Sequence, residues 1–550
     1  MTVKSWEDIV EAKRNVVKAS IPSDWINDSI KEDMIQAKYI NTYEYLDSIL
    51  PQAEVDITSL TMLQLQCKIR KGELKALTVA KAYCHRAAMA QQILNCCSEI
   101  FFDKAFEQAK ELDNYFEKKG CVVGPLHGIP ISLKDQVDLP GIDSAIGYVA
   151  LLNKPKTEIS LLAEYLQKAG AVFYVKTTVP MAMLSPETVS NVHGYTLNAS
   201  NYKLTSGGSS GGEGALIGAG ASPMGFGTDI GGSIRIPSAF QGLHALKPST
   251  GRISYLRVTN SYNSQETMPS AIGPMARSLA DVEYITKLII EWKLWEFDPK
   301  VVPIPYNDYS RLKQERLSFG IWLFDGQIKP HPPLQRALKQ VIESLKAQGH
   351  EVIDINIPNS KYLETATEIF TADQGLEVLE MCKKSGEPIV KQVNDMIVLD
   401  LQKPALNVNE WWDLCRKHYE GKQDFAKLWN ETANRTKSGK PIDGLICPVW
   451  PSCAYLPDSL NTLNYSCPFN FVDYPSVVLP VTKADKKLDP VQSDYIPSND
   501  IDEIFHKYYD AELYDTMPVC LQVVGRQLQE EKTLVVASVV ESCLKAYITC

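Results

Sequence analysis

Ser233 stands in "GTDIGGSIRIP", behind two glycines and ahead of an apolar Ile-x-Ile stretch. Consecutive glycines let backbone N–H groups face one concavity, and a serine at its edge sets a hydroxyl beside them. That arrangement suits an oxyanion hole next to a nucleophile, where one N–H donor is worth ~2.7–4 kcal/mol in the transition state. A serine nucleophile needs a base. The nearest histidine, His244 in "FQGLHALKPS", sits in an apolar stretch and reads as structural. Lys134 in "GIPISLKD" directly follows a short apolar strand, and serine–lysine pairs are a documented triad variant. A lysine base must be neutral, so its pKa has to fall from ~10.4 to about 7, a cost of ~4 kcal/mol that burial can supply. The other reading pairs Lys134 with Asp135 or Asp138 on the surface. Spacing alone leaves both open.

The glycine-rich run from Thr205 to Phe240 argues against three commoner uses. A phosphate loop needs G-x-x-x-x-G-K-[ST], but Gly207–Gly214 holds no lysine and Glu213 would repel an anion. A dinucleotide fingerprint follows an apolar strand, and Lys203–Ser206 is polar. A flexible linker would not carry "ALIGAGASPMGFG", which is too apolar to stay solvated. Close approach of backbone to a reacting atom is the reading left.

The elements that must hold these groups follow from the hydrophobic pattern. Helices are predicted around Leu60–Ile69, Thr78–Leu94 and Asp103–Lys119, the last ending near Gly120. A strand around Ile129–Leu133 is followed by the helix of "SLLAEYLQKAG", a stop at Gly170 and a buried strand at Ala171–Val175. "LSFGIWLF", "DGLICPVW" and "YPSVVLPV" read as strands. "PPLQRALKQVIESLKAQGHEVIDI" reads as helix then strand, and "CLQVVGRQLQEEKTLVVASVVESCL" as strand then helix. This alternation predicts an α/β fold with a large, helix-covered sheet. Lys483–Asp502 reads as an exposed loop. The chain divides into an N-terminal helical arm, 1–55, and one large domain, 56–550.

Bulk properties remove several function classes. A net charge of −10 argues against nucleic acid or an anionic membrane surface as a partner. No run of 18 apolar residues is present, so no integral membrane segment is expected. "MTVKSWEDIVEAKRN" lacks a secretory signal core, which points to a cytoplasmic location and free thiols for the thirteen cysteines. The eight histidines show no metal-type spacing, so no metal ion is expected; a serine–lysine pair calls for no organic cofactor either.

Taken together, "GGSSGGEGALIGAGASPMGFGTDIGGSIRIPSAF" and "GPLHGIPISLKD" resemble the amidase signature family of serine hydrolases. "SWEDIVEAKRN", "GPMARSLADVE" and "CLQVVGRQLQEEKTL" resemble its fungal acetamidase branch, so the likeness covers nearly the whole chain, with a signature core of about 120–260. The resemblance implies a Ser–Ser–Lys triad, with Lys134 as base, Ser209 as bridging serine after a cis Gly208–Ser209 peptide, and Ser233 as acylating serine. It implies an oxyanion hole from the N–H groups of Ile230, Gly231, Gly232 and Ser233, and a substrate-contacting position at Met183. Ser210 takes a supporting hydrogen bond, and Asp229 and Arg235 form a structural pair holding the nucleophile loop. The fold implied is a mixed, twisted central sheet flanked by helices on both faces, in one domain. The activity implied is hydrolysis of a monocarboxylic acid amide, acetamide or another short aliphatic amide, to carboxylate and ammonia through an acyl-enzyme. Alternatives within the family are a fatty-acid or aryl- or indole-acetamide hydrolase and an amidotransferase-type subunit that needs a partner chain. Outside catalysis, the alternative is a binding protein that has lost activity. Family members are often homodimers. "LNASNY" departs from the Asn-Pro of many relatives at Ala199, which places a local turn in question.

Overall fold

Of the thirteen strands among the described residues, seven fall where the hydrophobic pattern places them and six lie where it marks none. The strands are β1 (Cys97–Ile100), β2 (Pro130–Lys134), β3 (Val172–Thr177), β4 (Val189–Ser190), β5 (Gly194–Tyr195), β6 (Met224–Asp229) and β7 (His244–Lys247). Further along come β8 (Ala271–Ala276), β9 (Ser318–Ile321), β10 (Glu351–Asp354), β11 (Gly444–Pro448), β12 (Ser476–Lys483) and β13 (Pro518–Val524). The computed structural model describes residues 5–397 and 404–549. Among these, eleven strands form one sheet in the order β1-β3-β2-β6-β8-β7-β12-β13-β11-β9-β10, and β4 pairs with β5 in a small hairpin.

The sheet is mixed. β2 runs parallel to β3 and β6, and β9 parallel to β10 and β11, while β6–β8, β7–β8, β7–β12 and β12–β13 are antiparallel. Helices flank it, as in the expected α/β class. β2 and β3 are buried along their whole length, which is why each reads as a continuous apolar run rather than an alternating one. The edge strand β10 is half-exposed and carries Glu351 and Asp354, charges that blunt edge pairing.

Two strand ends differ from the hydrophobic reading. β2 extends to Lys134 itself, and β3 continues through Lys176 and Thr177. In both strands a lysine is buried because its amine finds partners. Lys176 Nζ donates to Asp143 C=O at 2.7 Å and to Ser144 Oγ at 2.8 Å. A count of apolar residues stops short of such positions.

The N-terminal helix Trp6–Ala19 starts on a Ser5/Asp8 capping box. Val17, Ile21, Ile30, Met34 and Leu46 share a core cluster with the helix Ala76–Leu94, with Val172 and Tyr174 of β3, and with Ala215 and Leu216 of the glycine-rich helix Gly211–Gly218. Residue 55 lies inside the helix Gln52–Thr58. The polar stretch after β12 has no helix or strand until Asp500, and its buried Asp489 is held by Arg336 at 2.7 and 2.8 Å. No described helix is long and apolar enough to cross a membrane.

Candidate active site

Lys134 is fully buried at the end of β2. Its Nζ lies 2.8 Å from Ser209 Oγ and 2.7 Å from Thr228 Oγ1. The surface ion pair is not formed. The Asp135 carboxylate accepts from Ser98 Oγ (2.8 Å) and Ile146 N–H (2.7 Å), and Asp138 from Thr259 Oγ1 (2.7 Å). Burial pulls the Lys134 amine down to about 7, against the opposing charges of Asp229, Glu213 and Asp135. Glu213, fully buried in the first turn of Gly211–Gly218, is pushed up to about 8 by burial, although Ser132 Oγ (2.6 Å) and Thr177 Oγ1 (3.0 Å) donate to it. Burial thus shifts both groups toward their neutral forms, the acid upward and the amine downward.

The peptide bond between Gly208 and Ser209 is cis. Ser210 N–H donates to Ser233 C=O at 3.1 Å, so the Ser209–Ser210 turn lies against the nucleophile loop. Ser210 Oγ both accepts from Thr228 N–H and donates to Thr228 C=O, each at 3.2 Å, and so joins that turn to β6. Ser233 Oγ makes no hydrogen bond among the described residues, and Ser233 lines a cavity of about 90 Å³. Met183, Ile230, Gly231, Leu363, Phe370 and Leu463 line the same cavity. Met183 and Ala182 both have φ near +58°, a region costly for residues with a Cβ, in the turn that brings Met183 to this wall.

The loop 229–235 is built around the Asp229 carboxylate, which is fully buried at the end of β6. It accepts from Arg235 Nε (2.9 Å) and Nη2 (3.0 Å) as a two-pronged ion pair, and from Asn470 Nδ2 (2.8 Å). It also accepts from the backbone N–H of Gly232 (2.8 Å) and Ile234 (3.1 Å). Burial alone would raise this carboxyl, but the Arg235 guanidinium and these hydrogen bonds outweigh it and hold the group well below the usual carboxylate range. One expectation changes here. The Gly232 N–H already serves Asp229, whereas the N–H groups of Ile230, Gly231 and Ser233 have no acceptor among the described residues.

Most glycines of the run serve packing rather than N–H display. A Cβ on Gly212 would lie 2.4 Å from Thr178 N, one on Gly214 2.9 Å from Pro237 Cβ, and one on Gly225 2.0 Å from Glu213 Oε2. The helix Gly211–Gly218 therefore sits closer to its neighbours than side chains would allow. Gly232 is constrained twice, by φ +137°, a backbone state that favours glycine, and by Ser466 Oγ, which a Cβ would approach to 2.5 Å.

His244 lies on β7 with Nε2 3.2 Å from Glu541 of the C-terminal helix, a structural pair as read from the sequence. At Ala199 the turn is made by the Asn198 side chain, which accepts from Ser200 N–H at 2.8 Å. Ala199 N–H donates to Gln241 Oε1 at 3.0 Å, a bond a proline could not make. Sequence reasoning missed Thr228, Gln136, Ser466 and Asn470. Ser466 Oγ donates to Gly231 C=O at 2.5 Å and Arg235 Nη1 to Ser466 C=O at 2.8 Å, contacts across more than 230 residues of chain that no local pattern signals.

A sequence profile described as Amidase matches residues 78–534. Acetamidase from Aspergillus oryzae is 38% identical over 551 residues, covering 99% of this chain and 100% of that protein. Acetamidase from Emericella nidulans is 38% identical over 558 residues with the same shares. A probable amidase from Saccharomyces cerevisiae is 37% identical over 98% of this chain and 99% of its own. Among solved structures, a fatty acid amide hydrolase superposes with a TM-score of 0.90 at 32% identity, over 98% of this chain and 95% of that one.

Proposed function

Because this chain belongs to the amidase family, and is thereby a hydrolase acting on amide C–N bonds, we propose that it works through Lys134, Ser209 and Ser233. The observation that carries this reading is the buried Lys134 amine 2.8 Å from Ser209 Oγ, with no ion-pair partner among the described residues. Neutral Lys134 accepts a proton from Ser209, which takes one from Ser233 as its Oγ attacks the amide carbonyl. The contact between the two serine hydroxyls closes when substrate seats, as such contacts commonly do. The negative oxygen that develops is held by the N–H groups of Ile230, Gly231 and Ser233. The proton returns through Ser209 to the leaving ammonia, and water then releases the carboxylic acid from the Ser233 ester. Met183 forms one wall of the substrate cavity, and Ser210, Asp229 and Arg235 hold the loops. No step calls for a metal or cofactor.

The base sets a pH dependence. Only the neutral amine accepts a proton, so kcat/KM is expected to rise as pH passes upward through about 7 and to level off above it. A pH–rate profile measures this directly. An acid limb several units away from 7 would remove Lys134 from the role of base. Lys134→Ala is expected to abolish turnover and leave the protein folded.

For substrate, we favour acetamide or another short aliphatic amide. The cavity beside Ser233 is about 90 Å³ and apolar, well below the roughly 300–1,000 Å³ of sites for drug-sized ligands. The likeness to two acetamidases over the full length supports the same reading. A longer or aromatic acyl group is the second reading, favoured by the wall of Leu363, Phe370, Met396 and Leu463 and by the likeness to a fatty acid amide hydrolase. Ammonia release from a series running from acetamide to arylacetamides and long-chain amides separates the two. We expect kcat/KM to fall as the acyl group outgrows the cavity, each misfitting methylene costing ~1–3 kcal/mol. A steady rise along the series would overturn the short-chain assignment. Activity of the isolated chain on any of these amides also excludes a subunit that needs a partner.

A further inference from the structure

Lys134 touches a second hydroxyl, and that contact has a direction. Thr228 Oγ1 lies 2.7 Å from Lys134 Nζ and 2.6 Å from Gln136 Oε1. Gln136 Nε2 lies 3.0 Å from Thr259 C=O and 2.7 Å from the Tyr255 hydroxyl. A backbone carbonyl only accepts, so the Thr259 oxygen decides which end of the Gln136 amide faces it. The amide oxygen must then face Thr228. It also only accepts, and the single hydroxyl proton of Thr228 goes to Gln136. Thr228 is left with lone pairs toward Lys134. The Gln136–Thr259 segment is itself pinned, because Thr259 N–H donates to Gln136 C=O at 2.9 Å. Gln136 is fully buried and Thr228 nearly so, which leaves the chain of donors no solvent to turn toward.

We propose that Gln136 is a positioning residue that, through Thr228, orients the Lys134 amine so that its lone pair is left for Ser209. The proposal rests on the Lys134–Ser209–Ser233 reading above. A neutral primary amine has two N–H bonds and one lone pair. Thr228 takes one hydrogen, and the lone pair can then receive the proton that Ser209 gives up. A Thr228 hydroxyl without its Gln136 acceptor could turn its proton onto that lone pair and compete with Ser209 for it. Gln136 removes this option by holding the proton elsewhere. The direction set at the Thr259 carbonyl is thus carried over two side chains to the base.

The test is a double-mutant cycle on amide hydrolysis at the alkaline plateau, using Gln136→Met, Thr228→Val and the pair. Methionine keeps the stem and bulk of Gln136 but supplies no strong acceptor. Gln136→Met is expected to lower kcat roughly ten- to a hundredfold, a part of the 10²–10⁴ that proton transfer contributes, with KM moved less than about twofold. In the Thr228→Val background there is no hydroxyl to orient, so adding Gln136→Met is expected to cost less than about threefold more. Losses that instead multiply would overturn the proposal, since they would mean that Gln136 acts through the loop and not through Thr228. A Gln136→Met effect confined to KM would overturn it too. Thermal melts of each variant confirm folding, and Gln136→Leu repeats the cycle if the methionine variant does not fold. Lys134→Ala run alongside distinguishes the two layers. Turnover by that variant would sink the triad reading, whereas an inactive Lys134→Ala with a multiplicative cycle would sink only the role of Gln136.

Discussion

Ser233→Ala is expected to lower amide hydrolysis by about 10⁴-fold or more while leaving the melting temperature unchanged. The two halves of this expectation have separate causes. Ser233 Oγ has no hydrogen-bond partner among the described residues, so its removal leaves no buried donor or acceptor orphaned, and a change of less than about 0.5 kcal/mol in stability follows. The chemistry, by contrast, loses the atom that forms the acyl bond in the proposed mechanism. Neither the oxyanion donors nor Lys134 can replace it, because both act on charge and protons and not on the carbonyl carbon. Ammonia release and a thermal melt measure the two halves, and a fluorophosphonate probe adds a third reading. Labelling of the wild type and not of the variant places the nucleophile at Ser233. A folded Ser233→Ala protein that still turns over amide would refute the assignment, as would a wild type that turns over amide without labelling.

Asp229→Ala has the opposite signature. We expect a loss of about 3–5 kcal/mol of folding stability together with most of the activity. Arg235 is fully buried, and without Asp229 its charge keeps only the neutral oxygens of Ser466, Gln522 and Asn470. The N–H groups of Gly232 and Ile234 lose their acceptor in the same step, and the loop that aims the Ser233 and Gly231 N–H groups loses its centre. Urea unfolding of variant and wild type measures the first loss. The pH dependence follows from the sign of the shift. Asp229 is held below its unfolded value, so its contribution is full above the ordinary carboxylate pKa of ~3.9. It fades only as pH falls from there through the depressed folded-state value. Wild type and Asp229→Ala should therefore keep a constant stability gap from neutral pH to about 4 and converge below it. A gap that closes between pH 7 and 5 would assign the stability to some other group.

Several parts of this arrangement were open to inspection in the sequence. The apolar run Ile129–Leu133 and its successor at Ala171–Val175 marked the two parallel strands, because strands buried on both faces need apolar side chains at every position. Lys134 at the end of such a run was compatible with a desolvated amine or with a surface ion pair, and the fold decided for burial. "GTDIGGS" marked a serine beside free backbone N–H groups, because glycine there removes the side chains that would fill the concavity. Ser209 was legible only by resemblance, as nothing in the local pattern separates it from Ser210.

Other features came from tertiary contact alone. The glycine-rich run looked like backbone aimed at a reacting atom, yet Gly212, Gly214 and Gly225 are glycines because Thr178, Pro237 and Glu213 leave no room for a Cβ. That constraint comes from the way the run packs on itself and on Thr178. The Gly232 N–H is taken by Asp229, a bond set by the curl of the loop and not by residue type. The Thr228–Gln136 contact spans 92 residues and Arg235–Asn470 spans 235. Hydrophobic periodicity reports which face of an element is buried, because burial acts on area and has no direction. Hydrogen bonds depend on angles and distances of a few tenths of an ångström, and only the packed chain sets those. Composition and spacing thus determined the α/β class and where the candidate base and nucleophile lie along the chain. The assembled sheet decided which proton faces which lone pair.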